Sequence, residues 1–100
     1  MLSCLEKYTI DPLKVQAFEH FVMLWIPLVE RYGGRHHGFF LPNELGGTTS
    51  FSLVTFASRE AYDSFLLKSD NDRECQAAIW YLNDSQCVVE VNRSFFSPIF

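Results

Sequence analysis

The stretch Leu28-Val29-Glu30-Arg31-Tyr32-Gly33-Gly34-Arg35-His36-His37-Gly38-Phe39-Phe40-Leu41 decides how this chain folds, because it leads from a long helix into a strand. A left-handed helix cap costs least at glycine, so the helix is predicted to end at Gly33-Gly34. The apolar residues that follow predict a strand from His36 to Leu41. The stretch contains two of the three histidines of the chain, so any pocket chemistry is expected close to it.

The helix that precedes the glycines has one wide apolar stripe. Its members recur at steps of three and four residues and are Phe18, Phe21, Val22, Trp25, Leu28, Val29 and Tyr32. Asp11-Pro12 is predicted to start this helix, because aspartate accepts from free N–H groups and proline tolerates the first helical position. Pro27 removes a backbone donor, which predicts a kink rather than an end.

Three further segments have the pattern of strands. Residues Leu2 to Ile10 alternate between two faces and predict the first strand. Ser50 to Ala57 alternates strictly, and its short connection to the strand at His36 to Leu41 predicts an antiparallel hairpin. Gln86 to Phe95 is predicted as the last strand.

Two shorter helices are predicted between the hairpin and the last strand. Ser58 is expected to cap the first of them. Asn71, with Glu74 three residues later, resembles a capping box and is expected to start the second.

The resulting order is strand, helix, strand, strand, two helices and strand, which is the split βαβ pattern of ferredoxin-like folds. We therefore predict one α+β domain over residues 1–100, with a four-stranded antiparallel sheet and helices on one face. Aromatic residues make up 16% of the chain, more than a small domain easily buries. The uncovered sheet face is expected to pack against a second copy, which makes the protein a homodimer.

Composition excludes several classes of partner. The net charge of −4 argues against nucleic-acid binding, which needs a basic face. No apolar run approaches the roughly 18 residues of a membrane span, and the N-terminus has no apolar signal-peptide core. Three cysteines without CxxC spacing predict free, buried thiols in the cytoplasm. No sequence signature of a cofactor is present, and none is predicted.

Several segments together resemble the NIPSNAP family. They are Glu6-Lys7-Tyr8-Thr9-Ile10 with Asp11-Pro12, Trp25-Ile26-Pro27-Leu28, His37-Gly38-Phe39-Phe40-Leu41 followed by Glu44 and Gly46, Phe51 to Phe56, and Ser58 with Tyr62. The resemblance implies a ferredoxin-like subunit whose sheet packs against the sheet of a partner to close a dimeric α+β barrel. The wider barrel group includes small monooxygenases, lactone isomerases and haem enzymes, whereas bacterial NIPSNAP-like proteins mostly lack an assigned reaction.

Histidines are the candidate catalytic residues. His36 and His37 are adjacent on a strand, so they point to opposite faces, and His37 is predicted to face the helices in phase with Phe39. His20 lies one residue off the helical stripe. If these two histidines converge with Glu6 or Glu90, they form a general base or a metal site. A structural or surface role is the alternative for each, and no ligand spacing predicts a metal.

Aromatic residues are the candidate ligand-binding residues. Trp25, Tyr32, Phe40 and Tyr62 are predicted to line an apolar pocket between the first helix and the sheet, although residues at such spacing also form ordinary cores. Arg35, close to the charged end of the first helix, is a candidate to bind a carboxylate or phosphate. A solvated helix end is the alternative for this charge group.

Two functional hypotheses remain open. The first is a small homodimer that binds an apolar or aromatic metabolite between the first helix and the sheet, either as a binding protein or as a monooxygenase- or isomerase-like enzyme. The second is a non-catalytic structural or protein-interaction module. The sequence contains no GxSxG, phosphate loop or HExxH motif that would identify a reaction. A cavity with a histidine and converging polar groups would favour the first hypothesis, and a filled interior would favour the second.

Overall fold

Seven elements follow one another in the computed structural model, which describes residues 1–99. In chain order they are β1 (Leu2–Ile10), α1 (Val15–Arg31), β2 (Arg35–Phe40), β3 (Thr49–Phe56), α2 (Arg59–Asp70), α3 (Arg73–Ser85) and β4 (Val88–Phe96). Phe100, the last residue of the predicted domain, lies outside the described residues.

The four strands form one antiparallel sheet in the spatial order β2-β3-β1-β4. β1 and β3, which start the two βαβ halves of the chain, are central, and β2 and β4 form the edges. This is the predicted ferredoxin-like arrangement, and the predicted β2–β3 hairpin is confirmed. Phe18 and Phe21 of α1 pack with Tyr8 and Ile10 of β1 in the core, so the helices cover one face of the sheet.

The end of α1 follows the prediction closely. Gly33 has φ +97°, its N–H donates to Glu30 O at 3.4 Å, and the N–H of Gly34 donates to Val29 O at 3.0 Å. These two bonds form a Schellman cap, which needs the left-handed conformation at Gly33. Gly34 is required for a different reason. A Cβ there would lie 2.6 Å from Val29 Cγ1, so only glycine lets the chain turn this closely against the helix.

The predicted start of α1 at Asp11-Pro12 is wrong, because the helix begins at Val15. The Asp11 carboxylate accepts from the N–H of Leu13 at 2.9 Å. Its side chain therefore closes a short turn ahead of the helix. Aspartate can accept from backbone N–H groups in such a turn as well as at a helix cap. Pro27 lies inside α1, which continues past it.

The predicted cap of α2 is confirmed, whereas the predicted cap of α3 is wrong. Ser58 caps α2, since its Oγ accepts from the N–H of Ala61 at 3.0 Å. The predicted cap of α3 at Asn71 is wrong, because Asp72 occupies that position and accepts from the N–H groups of Glu74 and Cys75 at 2.8 and 3.0 Å. Asn71 instead donates back to Leu67 O at the end of α2.

A bulge in β2 changes which side chains face the helices. Gly38 has φ +108°, and the pairing shifts so that His36 opposes Val54 whereas Phe39 opposes Ser52. Two residues of β2 thus face one residue of β3, so His36 and Phe39 both face the helices. His37 lies on the opposite face, where its Nε2 is 2.9 Å from Thr55 Oγ1. The prediction that His37 faces the helices is therefore wrong.

The sheet face opposite the helices is called the open face. Its apolar side chains are Leu5, Phe40, Phe51, Leu53 and Phe96, as the register of the strands requires. Phe40 and Phe96 are 59% and 52% exposed. No helix or strand among the described residues covers this face. No helix of residues 1–99 is long and apolar enough to cross a membrane.

Candidate functional site

A cavity of about 560 Å³ lies between the helix-covered face of the sheet and all three helices. We call it the helix–sheet pocket. Its floor comes from the sheet and consists of Cys4, Glu6, Val54, Phe56 and Arg93. Its volume falls within the range of roughly 300–1,000 Å³ that small-molecule sites occupy in proteins.

The walls of the helix–sheet pocket are mainly aromatic and apolar side chains from the helices. Trp25 comes from α1, Tyr62 and Phe65 come from α2, and Ile79 and Trp80 come from α3. The Trp25 and Phe65 rings meet edge to face with centroids 6.3 Å apart. The helices thus supply a mainly apolar wall opposite the floor.

Short side chains keep the space between these rings open. Ser69 of α2 and Cys75 of α3 both line the pocket and are buried. A larger side chain at either position would project into the cavity. The interior is therefore not filled at this point, although Phe18, Phe21 and Ile10 close the neighbouring part of the core.

An ion pair forms the polar part of the floor. Glu6 and Arg93 stand opposite each other on β1 and β4, and Arg93 Nη2 donates to Glu6 Oε2 at 3.0 Å. The Glu6 side chain is 16% exposed, whereas that of Arg93 is 48% exposed. Partial burial tends to lower the pKa of Arg93, but the Glu6 charge and hydrogen bond leave it above its ordinary value. The guanidinium is therefore cationic at every physiological pH.

Tyr62 adds a hydroxyl to the same end of the pocket. Its ring packs edge to face on Phe56 and Phe95 with centroids 5.3 and 5.2 Å away. Burial raises the pKa of Tyr62, and the nearby Arg93 charge offsets part of that rise. The hydroxyl is therefore protonated at neutral pH, and within residues 1–99 it has no hydrogen-bond partner.

The pocket thiols are not activated. Burial first, and then the Glu6 charge, raise the pKa of Cys4 to about 11. Burial followed by the Asp72 charge raises that of Cys75 to about 11. A thiol with such a pKa is neutral at pH 7 and a poor nucleophile. All three cysteines, including Cys87, are free and buried, which is the state predicted from the sequence.

The predicted ligand-binding residues separate into two groups. Trp25 and Tyr62 line the helix–sheet pocket. Tyr32, Phe40 and Arg35 do not, which corrects their predicted grouping. The Tyr32 hydroxyl donates to Asp72 between α1 and α3. Phe40 lies beyond the bulge on the open face, opposite Phe51, and Arg35 lies opposite Thr55 on that same face.

The histidines do not converge. The exposed His20 ring lies 4.8 Å from the Tyr81 ring at the surface between α1 and α3, whereas His37 is on the open face. Neither lines the helix–sheet pocket, and catalysis by either stays a prediction. Among residues 1–99, no group of three or more His, Cys, Asp or Glu side chains is placed to hold a metal ion.

Sequence reasoning missed Arg93 as a site residue. A signal for it exists, because Glu6 and Arg93 occupy positions in two strands whose neighbouring in-phase residues are largely apolar. A charged residue in such a position needs a partner or faces a cavity. Nothing in the sequence places these two residues opposite each other, however, since they are 87 positions apart.

Comparison with protein families gives a match to the NIPSNAP family model over residues 4–99. A search of curated proteins gives no significant match. The family model therefore covers nearly the whole chain, including every residue named in the pocket.

Solved structures share the fold at low sequence identity. A NIPSNAP family protein from Agrobacterium tumefaciens has a TM-score of 0.83 and 18% identity over 98% of this chain and 85% of its own. An uncharacterised NIPSNAP domain protein from Burkholderia xenovorans has a TM-score of 0.82 and 17% identity, covering 99% and 95%. A candidate antibiotic biosynthesis monooxygenase from Nitrosomonas europaea has a TM-score of 0.77 and 9% identity over the full length of both chains. The family match and the shared ferredoxin-like fold agree with the resemblance seen in the sequence, and the chain belongs to the NIPSNAP family.

Proposed function

We propose that this chain binds a small apolar or aromatic metabolite in the helix–sheet pocket. The observation that carries the proposal is the pocket itself, with about 560 Å³ of space, an apolar wall and one ion pair in its floor. An interior that served only to hold the fold together would gain stability from filling this space. The ion pair lies in the floor, and Ser69, Asp70, Gln76 and Asn83 add polar groups to an otherwise mainly apolar wall. Small-molecule sites use a few such groups to fix the orientation of a mostly apolar ligand.

The polar floor also supplies groups for proton transfer. The Glu6 carboxylate can accept a proton from an acidic carbon or phenol, while the electron pair stays on the ligand and is stabilised by Arg93. Isomerases return such a proton to another atom, and oxygenases let the anion react with dioxygen. The candidate monooxygenases among the fold neighbours, from Nitrosomonas europaea and Caulobacter crescentus, support the second outcome. We propose chemistry of this class, with Glu6 rather than a histidine as the base.

A second copy of the chain is the partner that we propose for the open face. Five apolar side chains with no cover in the described chain support this, and a second sheet would bury them face to face. We place the protein in the cytoplasm, where three free thiols remain reduced.

Native mass spectrometry tests the binding proposal. Protein purified gently from its host should carry a reproducible small-molecule adduct. Ile79→Trp adds bulk to the pocket wall and should remove the adduct, whereas Ala77→Trp, on the exposed side of the same helix, should keep it. If wild-type protein carries no adduct and no aromatic metabolite in a thermal-shift panel raises its melting temperature, the alternative hypothesis of a non-catalytic structural or interaction module is favoured.

Deuterium exchange tests the proposed chemistry. The molecule identified in the adduct should exchange a carbon-bound acidic hydrogen when it is incubated with the protein in D₂O. Glu6→Gln should slow this exchange by about a hundredfold or more, since a general base contributes roughly that factor. Exchange at the wild-type rate in Glu6→Gln would remove Glu6 from the mechanism.

A further inference from the structure

Arg93 has unused hydrogen-bonding capacity where it meets the pocket. A guanidinium has five N–H donors in a rigid planar fork. Within residues 1–99 only Nη2 is engaged, in the 3.0 Å bond to Glu6. The side chain is 48% exposed and lines the cavity. Charged donors therefore remain available to a molecule bound in the helix–sheet pocket.

The other member of the ion pair, Glu6, is less exposed than Arg93 but also lines the pocket. The Glu6 side chain is 16% exposed, and its carboxylate already accepts from Arg93. Its charge is close enough to the buried Tyr8 hydroxyl to raise the pKa of that group, although burial contributes more to the rise. The pair therefore presents donors to the cavity more than acceptors.

Tyr62 is a second donor near Arg93, because its ring packs on Phe95, which lies two positions from Arg93 on the same face of β4. The Tyr62 hydroxyl is close enough for the Arg93 charge to affect its pKa, and it is unpartnered within the described chain. The Arg59 guanidinium lies 5.6 Å from the Tyr62 ring centroid. Its Nε is 3.6 Å from Asp63 Oδ1, so the Asp63 carboxylate offsets the charge of Arg59. The acidic residue of the pocket wall, Asp70, is eight residues from Tyr62, or about 12 Å along α2. Asp70 therefore lies away from the end of the pocket where Tyr62 stands.

From these groups we infer that the ligand is an apolar or aromatic carboxylic acid, with its carboxylate on Arg93 and Tyr62. The inference rests on the proposed function, because it names the substrate class of the same pocket. A carboxylate is planar and matches the guanidinium fork. The remainder of the molecule packs against Trp25 and Phe65. The ligand carboxylate shares Arg93 with Glu6, so the two carboxylates compete for one cation.

The test compares trans-cinnamate with trans-cinnamamide, a neutral amide of nearly the same shape. The two tryptophans of the chain, Trp25 and Trp80, both line the pocket, so quenching of tryptophan emission reports binding at this place. Wild-type protein should bind the acid about tenfold or more tighter than the amide, as charge-assisted hydrogen bonds predict. Equal affinity for the two probes overturns the carboxylate inference.

Variants of the ion pair test the assignment of the two charges. Arg93→Gln should abolish the preference for the acid, and Arg93→Lys should keep part of it, because lysine retains the charge but loses the fork. Glu6→Gln should tighten binding of the acid by several-fold, since it removes the competing carboxylate. Arg73→Gln is the control, because it removes one positive charge from an exposed position at the start of α3. It should keep the wild-type preference for the acid over the amide. A preference that survives Arg93→Gln, or an affinity for the acid that falls in Glu6→Gln, overturns the inference.

The failure of this inference is distinct from the failure of the proposed function. If both probes quench tryptophan emission equally, the pocket binds apolar molecules and only the carboxylate specificity is wrong. If neither probe binds and no adduct is retained, the inference and the proposed binding function both fall.

Discussion

The Tyr32 hydroxyl donates a hydrogen bond to the Asp72 carboxylate and so joins the end of α1 to the first turn of α3. The same carboxylate caps α3 by accepting from Glu74 and Cys75. The Tyr32 bond, followed by the backbone bonds, lowers the pKa of Asp72 below its ordinary value of 3.8. One side chain thus fixes both the start of a helix and the packing of that helix on another.

Tyr32→Phe should lower the stability of the protein at neutral pH. Asp72 has a depressed pKa in the folded state, so its contribution is present above the unfolded pKa and is lost as the pH falls through the folded pKa. The stability difference between wild type and Tyr32→Phe should therefore shrink below about pH 4. Urea unfolding at a series of pH values measures this. Tyr81→Phe is the control for loss of a tyrosine hydroxyl, and a difference that is independent of pH would contradict the role of Asp72.

Gly34→Ala should destabilise the protein by about 1–3 kcal/mol, the usual cost of overpacking a core. The added Cβ would lie 2.6 Å from Val29 Cγ1 and 3.0 Å from Val54 Cγ1. Because the nearest clash is with Val29, the substitution should cost less in a Val29→Ala background. Chemical denaturation of both single variants and the double variant measures this coupling. Additive costs would show that the Val29 contact is not the cause.

His36 should make the protein less stable as the pH falls below about 6.5. Burial lowers the pKa of His36 in the folded state, although Glu30 partly offsets this. The unfolded chain then binds the proton more tightly, so acidification favours unfolding. Thermal unfolding between about pH 8 and pH 5.5 should show this slope in wild type and a smaller one in His36→Asn, which retains an acceptor for the N–H of Gly38. An unchanged slope would assign the effect to other groups.

Phe51→Asp should convert the proposed dimer into monomers or insoluble protein. Phe51 lies on the open face opposite Phe40 and Lys7, where a buried carboxylate would have no partner. Sedimentation velocity distinguishes the species. Leu67→Asp, an exposed apolar position on α2, is the matched control and should leave the assembly unchanged. A dimer in Phe51→Asp would place the interface elsewhere.

Periodicity and glycine placement predicted most of this fold because they act locally. The stripe of α1, the Gly33-Gly34 ending and the hairpin all depend on residues within a few positions of one another. The helix starts were less predictable. Asp11, Asn71 and Asp72 all have side chains able to cap a helix, and tertiary packing decides which of them does so.

The site was less predictable than the fold because its chemistry depends on contacts between distant segments. Trp25 and Tyr62 could be proposed for a pocket because aromatic residues on helices line either cores or cavities. The Glu6–Arg93 pair needs the register of β1 against β4, which no single segment contains. The predicted orientation of His37 was wrong for a local reason, namely the extra residue in β2 between His37 and Phe39.

The extra residue in β2 reverses the facing of every side chain that follows it in the strand. Arg35, His36 and His37 alternate between the two faces of the sheet as in a regular strand. After Gly38, each residue faces the side opposite to the one that a regular strand would give it. Phe39 therefore packs against Tyr8 and Phe18, and Phe40 is left on the open face. A saturation scan of β2 would find its intolerant side chains three positions apart, at His36 and Phe39, where an uninterrupted strand would show them two apart.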